Sequence, residues 1–313
     1  MDIIPIQDKG IISERSSSLE DLIEAFLSGQ DISGSSVRTY SRSLKQFTAW
    51  LYQTGRSSRM ATLEREDILA YKDYLTSKKS SYTVSLYLTA VRKFYQYLES
   101  RRIYPDITRG IKGSRRPKGY RKDTLTPDQL REALTTIKRI KSLEGLRDYA
   151  LFNLMARTGL RDIEVSRALV EDIRQESGQA ILQIQGKGRD SKDDFVLLTP
   201  EALKPIQRYL KARGALQETD PLFCSYSDRN SGQPLTTRSI SRIIKTALRA
   251  IGLDDKRLTA HSLRHTAITL SIKGGASLQQ AQAMARHSDP KTTLVYFHNL
   301  QRIEAGAEKY IDF

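Results

Sequence analysis

A single cysteine, Cys224, stands in a chain of 313 residues, so no internal disulfide and no cysteine-based zinc site can form. Its place between Phe223 and Ser225 is that of a small buried residue. Long apolar runs are missing as well: no stretch approaches the roughly 18 residues needed to cross a bilayer. The N-terminus, Met1 to Ile12, carries two acids and lacks the basic-then-apolar layout of a signal peptide; a cytoplasmic protein is expected. Acids are also in deficit. Thirty-six Asp and Glu face 51 Lys and Arg, a formal net charge of +15. Polyanions are the natural partners of such a surface, nucleic acid the commonest of them. A membrane-surface role would concentrate the charge on one amphipathic basic helix, whereas here it is spread over several segments. Histidine is scarce, and all four lie between His261 and His298. No internal repeat or low-complexity tract is present.

What is there reads as two domains, as the length favours. Residues 1–18 form a loose lead-in. Residues 19–104 carry four short helices. Ser18 caps the first, from Leu19 to Leu27, with Glu20 and Asp21 in its first turn. Val37, Tyr40, Leu44, Phe47 and Leu51 recur at helical spacing in the second, which Gly55 closes. Asp67 to Ser77 is the third, and Val84, Leu88, Val91, Tyr95 and Leu98 stripe the fourth. Arg38, Arg42 and Lys45 lie on the outer face of the second helix, and Arg92 and Lys93 flank the stripe of the fourth. A charged helix face is usually only solvated, so these five are ambiguous alone. Residues 105–123 break the pattern. Pro105, Gly110, Gly113, Pro117 and Gly119 forbid a regular helix, while Lys112, Arg115, Arg116, Lys118, Arg121 and Lys122 follow with no acid among them. The segment reads as a basic linker placed to touch a phosphate backbone.

The second domain spans 124–298, opening at Thr124-Leu125-Thr126-Pro127-Asp128 with proline in the first helical turn. Helical patterns follow around 148–157, 202–213, 237–251, 261, 277–286 and 290–298. Ala180 to Gln185 and Asp194 to Leu198 read as strands joined by a turn from Gly186 to Asp193. The fold class is therefore mainly α with a small antiparallel β-sheet. Residues 299–313 form a tail carrying Ile303, Tyr310 and Ile311.

Two imidazoles and a guanidinium in His261-Ser262-Leu263-Arg264-His265, close to Tyr296 in a basic protein, point to chemistry on phosphate. Cleaving a phosphodiester without metal takes a nucleophile aimed at phosphorus, cations on the non-bridging oxygens and an acid for the leaving oxygen. Arg161 follows a glycine at a helix end, Arg264 shares a helical face with His261, and Lys187 sits at the tip of the hairpin. Tyrosine, with a pKa near 10, becomes a plausible nucleophile only beside cations that stabilise the phenolate.

The ordered series Thr158-Gly159-Leu160-Arg161, Gly186-Lys187-Gly188, His261-Ser262-Leu263-Arg264-His265, Arg286-His287-Ser288 and Thr292-Thr293-Leu294-Val295-Tyr296 resembles the signature of the tyrosine recombinases, or phage integrase family, and most closely its Xer-type branch. The likeness runs from about Leu19 to the end. It implies a helical, SAM-like core-binding domain and an α+β catalytic domain of the DNA breaking-rejoining fold. It also implies roles: Arg161 and Arg264 clamp the scissile phosphate, His261 exchanges a proton with or positions the nucleophile, and His287 bonds the phosphate. Lys187 would protonate the leaving 5′-oxygen, Tyr296 would form a 3′-phosphotyrosyl bond, and Glu164 would orient the site. Neither metal nor nucleotide cofactor is implied. Two departures stand out. Arg286 replaces the usual glycine before the second histidine, and Arg189 and Lys192 crowd the turn around Lys187. His265 is read as a helix-packing residue that faces the core, and His298 as a neighbour of the nucleophile with no step of its own.

The resemblance further implies a clamp around duplex DNA carrying paired half-sites, and a homotetramer for strand exchange, with the tail docking on a neighbour or folding back on its own domain. A core domain beginning near residue 19 leaves no room for the arm-binding domain of lambda-type integrases. Chromosome dimer resolution and use by a mobile element or phage both stay open. The rival readings are a type IB topoisomerase, which shares the chemistry, and a DNA-binding regulator without catalysis, which would have no use for Tyr296.

Overall fold

The computed structural model describes residues 18–57, 62–115, 124–186 and 188–312, and these fall into two compact units divided between Gly119 and Tyr120. The first is built from α1 (Leu19–Ser28), α2 (Gly34–Gln53), α3 (Arg65–Lys78) and α4 (Ser81–Ser100). Ser18 starts α1 as its sequence suggests: its hydroxyl accepts from the Asp21 amide, and the Asp21 carboxylate accepts from the Ser18 amide. The apolar stripes meet in one core that holds Phe26, Leu44, Phe47, Trp50, Leu51, Tyr71, Leu88, Phe94 and Tyr95. Each such side chain stabilises the fold by roughly 1.5–3 kcal/mol on burial. Edge-on rings, such as Phe47 against Tyr71 at 4.9 Å, add directionality.

Residues 105–115, the first part of the expected linker, are fastened to this unit. Thr108 and Ile111 are buried, the Tyr104 hydroxyl donates to the Leu63 carbonyl at 2.7 Å, and Ser85 Oγ donates to the Ser114 carbonyl at 3.3 Å. Glycine and proline excluded a helix here, but irregular backbone can still bury its few apolar side chains. Of the linker cations, Lys112 and Arg115 are exposed; Arg116, Lys118, Arg121 and Lys122 lie outside the described residues. Arg38, Arg42 and Lys45 are exposed along one stripe of α2, and Lys93 is exposed on α4. Arg92 is half-buried and donates to the Leu88 carbonyl and to Thr89 Oγ1, at 3.3 and 3.2 Å. It is engaged in its own unit rather than held out to solvent.

The second unit contains α5 (Pro127–Lys138), α6 (Leu143–Thr158), α7 (Asp162–Arg167), the strands β1 (Ile173–Glu176), β2 (Gln179–Ile184) and β3 (Asp194–Leu197), then α8 (Pro200–Arg213), α9 (Thr237–Arg249), α10 (Ala260–Lys273), α11 (Leu278–Ala285) and α12 (Pro290–Glu304). The sheet is antiparallel in the order β1-β2-β3, with Leu182 opposite both Ile173 and Val196. Strand β1 escapes sequence reading because Ile173-Arg174-Gln175-Glu176 is an exposed edge with no apolar alternation. Helix α7 is too short to show a period. Helix α6 is buried on most sides, against α5, α8 and α10. The start of the unit is tied to α10, where the Leu125 amide donates to Thr266 Oγ1 at 2.9 Å. Helix α12 runs past His298 to Glu304, so the expected tail begins as helix, and beyond it Tyr310 and Ile311 are exposed. Among the described residues no helix is long and apolar enough to cross a membrane.

Candidate active site

Helix α6 ends at Gly159, whose φ of 62° places it in the left-handed region. The chain reverses there, and Arg161 becomes the first residue outside α7. Glu164, in the first turn of α7, closes back on it: Oε2 accepts from the Arg161 amide and Oε1 from Arg161 Nη1, both at 2.7 Å. A carboxylate in a first helical turn also complements the helix dipole. The Arg161 side chain so held is 28% exposed.

Arg264, His261 and His265 share a face of α10. Arg264 is buried. Its Nη1 donates to the Gly159 carbonyl at 2.7 Å, and its Nη2 donates to the Ala285 carbonyl. It therefore joins the end of α6 to the end of α11. Next comes Arg286, in the left-handed region at φ 52°, and then His287. The His287 ring is held by a 2.9 Å hydrogen bond between Nδ1 and Thr293 Oγ1. Asp289 caps α12 by accepting from the Lys291 amide. Thr293 and Tyr296, three residues apart, project from the same side of that helix and are both buried. The Tyr296 ring packs with Ile268 and Ala285, and lies 6.3 Å from the His287 ring.

His265 differs from expectation. It is half-buried, not turned into the core, and its Nδ1 is hydrogen-bonded to the Tyr296 hydroxyl. His261 is exposed one turn earlier, its ring edge-on to that of His265 at 4.7 Å. A helix face spans i, i+3 and i+4, so His265 was as eligible for the site as Arg264. Only the position of α12 tells which. Thr293, as the partner of His287, was likewise invisible to pattern reading. His298 is exposed.

Lys187 lies outside the described residues, but its two neighbours in the turn have other partners. Lys192 Nζ sits 2.6 Å from the carboxylate of buried Asp172, and Arg189 pairs with Asp193 at 3.2 Å. Arg161, Glu164, Arg286 and Ser288 line a cavity of about 360 Å³ together with Gly186, Arg189, Asp193 and Asp194 of the hairpin.

The electrostatics follow from crowding cations in a half-buried place. Burial raises the Tyr296 phenol to about 12 although Arg264 pulls the other way. Burial lowers His287 to about 4, helped by the charges of Arg264, Arg161 and Arg286, so its ring is neutral at pH 7. Burial and the neighbouring guanidiniums lower Arg264 to about 9, which still leaves it charged at pH 7. For Glu164, burial pushes upward, but the Arg286 charge and the Arg161 hydrogen bonds outweigh it and the carboxyl stays ionised. The arrangement is a concave set of fixed cations beside a neutral imidazole and a hydroxyl: a place for a tetrahedral oxyanion.

Residues 123–302 match the phage integrase family, and residues 19–102 match the phage integrase N-terminal SAM-like domain. The chain belongs to the phage integrase family. Among its relatives, the tyrosine recombinase XerC of Pelobacter propionicus is 31% identical over 86% of each chain. The tyrosine recombinase XerD of Listeria monocytogenes is 28% identical over 90% of this chain and 94% of its own. In structure, this integrase-family chain resembles the XerH site-specific recombinase bound to a palindromic difH substrate in a post-cleavage complex: TM-score 0.75, 21% identity, 95% of this chain and 86% of that one. It also resembles lambda integrase residues 75–356 bound as a dimer to a core site: TM-score 0.68, 14% identity, 88% and 97% covered. At such identities the likeness speaks for the shared fold, a helical SAM-like domain followed by the family's catalytic domain.

Proposed function

We propose that this integrase-family chain is a site-specific DNA recombinase of the Xer type, which cleaves and rejoins DNA through a covalent bond to Tyr296. One arrangement carries the residue assignments: the Tyr296 hydroxyl is hydrogen-bonded to His265, its ring lies beside that of His287, and the charge of Arg264 acts on both while that of Arg161 acts on His287. In this reading Arg161, Arg264 and His287 hold the non-bridging oxygens of a phosphodiester. Tyr296 Oη attacks phosphorus, the phenolic proton leaves through the His265–His261 pair, and the P–O5′ bond breaks. Lys187 gives O5′ its proton. The product is a 3′-phosphotyrosyl bond that keeps the energy of the broken linkage, so a free 5′-hydroxyl reverses the step. Neither a metal nor a nucleotide is required by this sequence of steps.

The partner would be duplex DNA with paired half-sites, gripped by the exposed cations of α2 and by Lys93, Lys112 and Arg115. The linker cations Arg116, Lys118, Arg121 and Lys122 belong to the same proposal. Exchange of two strands between two sites needs four active subunits, and exposed Tyr310 and Ile311 suit the tail to docking on a neighbouring subunit. A cytoplasmic, nucleoid-associated location and carriage by a mobile element belong to this reading as well.

The test begins with a labelled pool of nicked duplexes bearing randomised arms. The native protein is expected to capture a subset of them in a complex that survives detergent, while Tyr296→Phe binds the same duplexes without covalent capture. No adduct anywhere in the pool sinks the proposal. Relaxation of supercoiled plasmid without sequence preference would move the reading to a type IB topoisomerase.

A further inference from the structure

Arg286 is the cation with no role so far, and its setting is unusual on three counts. Its backbone lies at φ 52° and ψ 49°, a conformation that glycine adopts freely and arginine does not. Its side chain is 5% exposed, although arginine is seldom buried unless paired. Its Nε is buried with no hydrogen-bond partner among the described residues. A strained backbone, a desolvated charge and an unmatched N–H all cost stability, so something must offset them.

The remaining contacts say what does. Nη2 donates to Glu164 Oε2 at 2.8 Å and, more weakly, to the Gly159 carbonyl at 3.4 Å, and Nη1 donates to the Met284 carbonyl at 2.6 Å. Glu164 is the carboxylate that holds Arg161. The Gly159 carbonyl also receives Arg264. The next residue along the chain is His287. One buried side chain thus touches an anchor of each clamp arginine and is covalently joined to the neutral imidazole.

We propose that Arg286 is a positioning residue that acts through Glu164, fixing the α11–α12 turn with its histidine against the α6–α7 turn with Arg161. Its charge has a second effect. Glu164 carries a single negative charge and serves two guanidiniums, so Arg161 is not neutralised by its anchor and keeps attraction for an anion. The inference rests on the recombinase reading above.

The test uses the full chain and a nicked duplex recovered by the native protein from the randomised pool. Arg286→Gly removes the ion pair while easing the backbone, so it should fold. Its single-turnover cleavage at saturating protein is expected to fall about 100-fold, the size of loss a small misplacement produces, with affinity for the uncleaved duplex within about threefold of native. Arg286→Lys, which can meet Glu164 but not all three acceptors together, should recover part of the rate. Glu164→Gln combined with Arg286→Gly should be no slower than Glu164→Gln alone, because Arg286 acts through the carboxylate which that variant has already removed. Native cleavage rates for Arg286→Gly, losses that multiply in the double variant, or a loss confined to DNA affinity would each overturn the inference. A native protein that forms no adduct overturns the recombinase reading itself, and this inference with it.

Discussion

Tyr296 presents a problem that its neighbours must solve. A phenol raised to about 12 by burial is almost wholly protonated at neutral pH, so the proposed attack on phosphorus needs proton removal coupled to the approach of the phosphate. His265 touches the hydroxyl, which makes it a sharper target for mutation than sequence reading suggested. His265→Ala is expected to slow cleavage by about 100-fold or more, within the range typical of positioned proton transfer, while leaving DNA affinity intact. His287 allows a test by pH. Its ring titrates near 4 in the folded chain and near 6.5 when unfolded. Between those values the unfolded state binds more protons, so stability falls as pH drops from about 6.5 to 4. Urea titrations across that window should show a shallower loss for His287→Gln than for the native chain; equal slopes would contradict the assignment. Lys187 is tested by chemistry. A 5′-thiol leaving group needs no acid, so replacing the bridging 5′-oxygen by sulfur should restore cleavage to Lys187→Ala but not to Tyr296→Phe. If Lys187→Ala stays slow on the sulfur substrate, another group is the acid. Lys192, held by Asp172, is not expected to substitute for it.

Among the elements, the reversal between α6 and α7 governs the site. Gly159 is left-handed at φ 62°, and a Cβ there would meet Ala267 Cβ and Met284 Cε at 3.5 Å, ordinary contact distances. The penalty for Gly159→Ala is therefore conformational, about 1–2 kcal/mol. Because Arg264 donates to the Gly159 carbonyl, the variant should lose cleavage beyond its loss of melting temperature. An unchanged rate in the remaining folded protein would separate this turn from catalysis. The glycine and the arginine of this turn were legible as letters. The six-residue helix that orients Arg161 was not, because it is shorter than two helical turns. Strand β1 was hidden for the opposite reason: its polar side chains look like loop, and only pairing with β2 makes them strand.

At the scale of the molecule, charge and assembly are the measurable properties. With a net charge of +15, DNA affinity should fall steeply with salt, and each phosphate contact removed should lower the log–log slope by about 0.9. Arg38→Ala, Arg42→Ala and Lys45→Ala together test this, since all three are exposed on one stripe of α2; an unchanged slope would remove that face from the DNA interface. Arg92, tied to Leu88 and Thr89, should change the slope less than Lys93. Removal of residues 305–313, which carry exposed Tyr310 and Ile311, is expected to leave cleavage of a single site intact and to abolish pairing of two sites in sedimentation. Retained pairing would place the assembly surface elsewhere.

The chain's letters alone determined the apolar helical stripes, the basic balance and two of the three strands, because composition and periodicity are local properties, while the ordered set Arg161, Lys187, His261, Arg264, His287 and Tyr296 was expected from its resemblance to the family signature. Which histidine meets Tyr296, why Arg286 can stand where glycine is usual, and where residues 105–115 belong were decided only by the fold. Each of those depends on contacts between segments far apart in the chain: Tyr296 with His265, Arg286 with Glu164, Ser114 with Ser85. A helix face admits several residues to a site. The helix packed against it selects among them.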